Sequence, residues 1–137
     1  MTWPLLLLAL ILSGQALVAQ VDIRRNGSSW ARLEADGTVR INGSSKGRIE
    51  PDGTIRIEGS SVGKVEWDGT LRRHGSSFAS VEPDGTLRRA GSSIGRIEAD
   101  GTIRKNGSSW GRVEGGCGTF GCRREIAALL FFFSVDF

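Results

Sequence analysis

The sequence predicts an all-β protein, a pseudo-symmetric ring of five to six short antiparallel β-hairpins with an apolar C-terminal closing segment. Three observations predict it. A G-S-S tripeptide opens at Gly27, Gly43, Gly59, Gly75, Gly91 and Gly107, a constant spacing of 16 residues, and self-similarity at a fixed period sets the architecture ahead of local propensity. Each unit carries two turn signals, G-S-S and E-x-D-G-T; a chain that reverses twice per repeat forms antiparallel hairpins, not the coils of a parallel β-helix. The repeats also end in halves, since 21–26 matches the second half of a unit and 107–114 the first. Pairing of Ile23 with the strand around Val113 would seal a ring of six petals; without it there are five.

The chain begins with a different kind of segment. Residues 1–20 carry no charge and hold a continuous apolar run from Leu5 to Leu12, followed by small residues. This predicts a signal peptide over 1–19, cleaved after Ala19 or, by the small-x-small rule, after Ala16. No Lys or Arg precedes the run, so an uncleaved anchor is the competing reading. The expected location is secreted, periplasmic or on the cell surface. With 137 residues the chain has room for one domain. Its formal charge is +3, but Arg and Glu recur in step, so the charge does not call for a nucleic-acid partner.

Residues 20–114 hold the repeats. In E-x-D-G-T, Pro51 and Pro83 pre-set φ for a type I turn and the glycine takes the left-handed position of a bulged three-residue loop. That register sets Glu against Thr and pairs Leu33 with Val39, Ile49 with Ile55 and Ile97 with Ile103, the core contribution of each hairpin. On the other face it groups Arg32, Glu34, Thr38 and Arg40, with Glu34 diagonal to Arg40 at ion-pair reach. Trp30 and Leu33 are three apart, which breaks the period of two. The small residue between them, Gly in four copies and Ala31 or Ala79 in two, predicts a bulge and a sharp bend. Before the glycine of G-S-S stand Asn26, Asn42 and Asn106, but also Glu58, His74 and Ala90, so a strict Asn-Gly type I′ turn is not demanded. Three apolar side chains per unit are too few to offset the ordering of 16 backbones, so neighbouring units must share a core.

Residues 115–137 leave the pattern with G-G-C-G-T-F-G-C-R-R-E and then I-A-A-L-L-F-F-F-S-V-D-F. This apolar stretch is too short to span a bilayer as a helix. An exposed strand of this composition would aggregate, which places it against the inner ends of the hairpins as a plug or closing strand. The three consecutive Phe favour extended structure, and a helical pass through the centre is the alternative.

The unit x-G-R-I-E-x-D-G-T-I-R-x-N-G-S-S, the leader before it and the terminal A-A-L-L-F-F-F together resemble the five-fold β-flower proteins, a family of small exported bacterial proteins. The resemblance covers nearly all of the chain after the leader. It implies a ring of β-hairpins with a hydrophobic closing segment and implies no activity. The chain departs from the family in its repeat number and in the Cys-bearing segment 116–122.

No catalytic, cofactor or metal constellation emerges from the residues. Cys117 and Cys122 are the only thiols; in an exported protein they are expected to form a disulfide, with free thiols as the alternative. They lack the further ligands of a metal site and the C-x-x-C spacing of a redox site. His74 is the sole histidine and reads as a turn residue, with no nucleophile or orienting partner in view. The aspartates Asp36, Asp52, Asp68, Asp84 and Asp100 are explained by turn stabilisation before a cation. The arginines Arg24, Arg40, Arg56, Arg72, Arg88 and Arg104, reinforced by Arg73 and Arg89, form a column that the Glu column beside it is expected to pair.

Trp67 replaces Ala or Pro in a turn and should be exposed, whereas Trp30, Phe78 and Trp110 share the position of Val62 and Ile94 and should be core. Trp67 and His74 are thus the candidate ligand surface. The expected function is a non-enzymatic exported module with a structural or binding role at the cell envelope, without a cofactor. The alternative is a carbohydrate-binding protein using the turn rims. A glycan or envelope component and further copies of the chain are the partners to consider.

Overall fold

In the computed structural model, which describes residues 20–137, the repeats form one closed barrel of twelve antiparallel strands. The strands are β1 (Val21–Arg25), β2 (Ser28–Leu33), β3 (Thr38–Ile41), β4 (Ser44–Ile49), β5 (Thr54–Ile57), β6 (Ser60–Val65), β7 (Thr70–Arg73), β8 (Ser76–Val81), β9 (Thr86–Arg89), β10 (Ser92–Ile97), β11 (Thr102–Lys105) and β12 (Ser108–Val113), followed by one helix, α1 (Phe120–Phe133). Each strand pairs with its neighbours in sequence, and β1 closes on β12 through Ile23 opposite Val113, Arg24 opposite Arg112 and Arg25 opposite Gly111. Asp22 and Glu114 reinforce the seam: the Glu114 N–H donates to the Asp22 carbonyl at 2.9 Å and the Glu114 carboxylate pairs with Arg24. The two half-units therefore complete each other, as the sequence suggested. The leader, residues 1–19, lies outside the described residues.

The register is the one the turn chemistry dictates. Leu33 faces Val39, Ile49 faces Ile55 and Ile97 faces Ile103, all of them buried. In the first full unit, the Glu34 N–H donates to the Thr38 carbonyl at 2.8 Å, Gly37 sits at φ +95°, and Asp36 accepts from the Thr38 N–H at 2.9 Å. The bulge falls where the pattern breaks. Ile23 pairs with Ala31 and Arg24 with Ser29, which leaves Trp30 as the extra residue. In the other copies Lys46, Val62, Phe78, Ile94 and Trp110 are skipped in the same way.

The G-S-S turns are more uniform than their residues. Both central residues have positive φ in all six copies, including Glu58 at +52°, His74 at +49° and Ala90 at +51°. A two-residue loop between strands of right-handed twist needs this primed geometry. The pairing around the closed ring holds even Ala90 in the left-handed region, which L-residues occupy at a cost of roughly 1–2 kcal/mol.

The tail takes the alternative conformation. Instead of extended structure, 120–133 form a helix, with Ile126, Ala127, Ala128, Leu129, Leu130 and Phe131 buried. The reason lies in the closed sheet: with β1 paired to β12 there is no edge left to receive another strand. A segment inside the barrel must satisfy its own backbone, and a helix does so. Eight strands suffice to let side chains fill a barrel; with twelve the lumen is wider, and α1 occupies it. The small residues of the bulge acquire a second role here. A Cβ added at Gly63 would overlap the Phe132 ring, and one at Gly47 would crowd Phe133.

Replacing Ala90 by Asn, which tolerates positive φ through its short polar side chain, should stabilise the protein by about 1 kcal/mol and raise Tm by about 4 °C. Thermal denaturation followed by circular dichroism measures it, with Asn42→Ala expected to shift Tm the opposite way.

Candidate functional site

The barrel has two unlike ends. Strand alternation turns Arg24, Arg32, Arg40 and their equivalents outward, and the expected ion pairs form: Arg40 with Glu34 at 3.1 Å, Arg56 with Glu50 at 3.3 Å, Arg72 with Glu66 at 3.2 Å, Arg88 with Glu82 at 3.3 Å and Arg104 with Glu98 at 3.3 Å. Each of these arginines also donates to the carbonyl of a G-S-S glycine, as Arg88 does to Gly91 at 3.1 Å. These groups hold the wall together.

Arg73 and Arg89 do not reinforce this column. Each follows an outward Arg by one residue, and the period of two turns it inward, so the two join Arg25 and Lys105 at the G-S-S end of the lumen. There they meet the end of α1 and the residues after it. Arg73 donates to the Phe131 carbonyl at 3.1 Å, Arg89 to the main-chain oxygen of Phe137, Lys105 to the Asp136 carbonyl, and Arg25 pairs with the Asp136 carboxylate. Ser134 and Trp110 also donate to that carboxylate, at 2.8 and 3.4 Å. Although desolvation opposes it, these hydrogen bonds and the Arg25 charge hold Asp136 below the ordinary carboxylate range. Trp30 meets Trp110 edge to face at 5.3 Å, and Phe78 meets Phe132 at 5.5 Å. The aromatic bulge residues are thus half-buried core, as expected. This end is closed by its own tail.

The D-G-T end is only partly covered. Cys117 and Cys122 form a disulfide, Cys117 donates its N–H to the Ala99 carbonyl at 3.0 Å, and Thr119 caps α1 by accepting from the Cys122 N–H at 3.1 Å. Arg123 then donates to the Pro83 carbonyl and Arg124 to the Trp67 carbonyl, each at 2.7 Å. The Cys loop and first helical turn therefore strap down the turns at 67, 83 and 99.

The sector over the turns at 35 and 51 stays open as a groove of about 390 Å³. Leu33, Ile49 and Val65 lie at its base; Asp36, Asp52, Pro51 and Trp67 form the rim, with Arg124 and Glu125 on the helix side. Trp67 is 81% exposed. Desolvation raises Glu125 above the ordinary carboxylate value, against the opposing charge of Arg124. The turn aspartates shift the other way: the backbone N–H of the threonine two residues on is the first cause holding Asp36, Asp52, Asp68, Asp84 and Asp100 below 3.8.

The two candidate ligand residues are not brought together. Trp67 lies at the D-G-T end, while His74 sits across β7 in a G-S-S turn beside a shallow outer depression of about 260 Å³ that includes Lys64 and Arg72. Among the described residues no group of three or more His, Cys, Asp and Glu is placed to hold a metal ion. The groove itself went unread because it exists only where α1 fails to cover the turns. The one available signal was Glu125, an acid at the start of an apolar run. The arrangement offers non-covalent recognition, with an aromatic face, an apolar base and carboxylates.

Two outcomes test this account of the ends. Arg73→Met removes the donor of a part-buried carbonyl at the mouth of the lumen and should cost about 1 kcal/mol in urea unfolding, whereas Arg72→Met, whose ion pair is on the outer wall, should cost less than that. The lowered aspartates contribute stability at pH values above the unfolded carboxylate value, and that contribution is lost as pH falls through their folded values. Tm should therefore drop below about pH 4, and Asp→Asn at all five turns should flatten that drop. Comparison with protein-family models, curated proteins and solved structures finds no match to the chain, so function is read from this geometry.

Proposed function

We propose that the chain is an exported, non-enzymatic β-repeat module with a binding role at the cell envelope, and that its ligand enters the groove at the D-G-T end. In this reading the twelve strands are six petals of a flower, one more than in the five-fold β-flower proteins that the sequence resembles. The observation that carries it is the asymmetry of the two ends. The G-S-S end is filled by residues 131–137 and their basic partners, while the D-G-T end leaves a groove edged by an exposed tryptophan. An exposed Trp has no role in the repeat, because the other copies hold Ala or Pro at that position. A structural role alone gives no reason for it. Turn aspartates and wall arginines, in contrast, are engaged in hydrogen bonds and ion pairs.

Exposure of Trp67 beside carboxylates favours the second, narrower reading, a carbohydrate-binding protein that uses the turn rim. In a glycan panel the protein should show saturable binding that Trp67→Ala weakens and His74→Ala, at the opposite end, leaves unchanged. Binding that Trp67→Ala leaves at full strength would remove the groove from consideration. Export is tested separately by N-terminal sequencing of the protein recovered outside the cytoplasm, which should begin at Gln20 or Leu17.

A further inference from the structure

The groove also carries a charge preference. Six carboxylates line it, those of Glu34, Asp36, Glu50, Asp52, Glu66 and Glu125, against one guanidinium, Arg124. Glu34, Glu50 and Glu66 are paired with wall arginines, and Asp36 and Asp52 each use one oxygen on a threonine N–H. Glu125 differs: it makes no ion pair or side-chain hydrogen bond among the described residues. Arg124 is turned to the Trp67 carbonyl and lies over the Phe120 ring at 5.1 Å.

A second observation comes from the aromatic rings. Phe78, Trp110, Phe120, Phe131, Phe132 and Phe137 each have a Lys or Arg of the chain over them, at 4.5 to 5.5 Å. Trp30, Phe133 and Trp67 have none among the described residues, but Trp30 and Phe133 are half-buried, whereas Trp67, the most electron-rich ring type for this contact, stands 81% exposed at the groove. An aromatic face without its cation and a carboxylate without its partner border the same cavity. The volume of about 390 Å³ leaves room for a ring as well as a charge.

We propose that the groove binds a primary ammonium carried on a hexose-sized ring, an amino sugar, with the cation held between the Trp67 face and the Glu125 carboxylate. This rests on the groove being the binding site. The test is titration of the protein with D-glucosamine, N-acetyl-D-glucosamine, D-glucose and Nα-acetyl-lysine methylamide, followed by tryptophan fluorescence and calorimetry.

Glucosamine should saturate, with the acetylated and neutral sugars weaker by about tenfold, since loss of one partner from a charge-assisted contact costs on this order. Trp67→Ala and Glu125→Gln should each weaken glucosamine by about fivefold. Both residues are exposed, and an unchanged Tm confirms that each variant folds. Equal affinity for glucosamine and glucose overturns the ammonium preference and leaves groove binding in place. Equal affinity for the lysine derivative overturns the sugar. No saturation by any of the four overturns this proposal, and a blank glycan panel alongside overturns the groove reading with it.

Discussion

The pairing of β1 with β12 is the contact on which the rest depends. It joins the first described strand to the last across the whole chain, and it removes every free edge from the sheet. Once the edges are gone, the interior is a place where backbone amides find no ladder partners, and the apolar tail has one way to enter it. Helix formation in α1 is therefore a consequence of closure more than of propensity, since Phe and Ile are mediocre helix formers and the run contains four Phe counting Phe120. The glycine column at the bulge completes the fit by drawing the wall back where Phe132 and Phe133 pass.

Closure also leaves a choice of direction, and electrostatics is consistent with the one adopted. Four cations, Arg25, Arg73, Arg89 and Lys105, meet the tail at the G-S-S end, against one carboxylate, Asp136. The C-terminal, partially negative end of α1 points there, and its N-terminal end points to the mouth where the turn aspartates gather. Reversing the helix would set like against like at both ends. The same polarity leaves the groove, at the helix N-terminal end, bordered by carboxylates.

Most of the wall was legible because it is governed by local rules repeated many times. The D-G-T loop fixes the pairing of Leu33 with Val39, and the three-residue spacing of Trp30 and Leu33 locates the bulge. What escaped was whatever depended on the lumen. Arg73 repeats the residue type of Arg72 but points to the other face of the strand, and its partner, the Phe131 carbonyl, lies 58 residues away. For the tail, β-propensity favours the extended alternative over the helical one because it describes a side chain on a pleated surface, and here no surface was left to join. The disulfide and the exposed turn position of Trp67 were readable, because neither requires knowing where α1 lies. The groove requires that knowledge, and so do the company of Trp67 and the solitude of Glu125.

Near-identical units also pose a problem of counting. A strand of β4 offers almost the same pattern to β3 as β6 or β10 would, so a slip by one whole unit preserves each turn and each apolar pair. Local energetics alone cannot distinguish the native ring from one that has skipped a repeat unit. The lumen can: Phe78 against Phe131 and Phe132, Gly63 beneath Phe132, and Arg73 and Arg89 on the tail occur once each in the circle. A ring assembled one unit out of phase would present the helix with the wrong wall. The helix thus acts as a gauge, accepting one circular order of otherwise interchangeable parts.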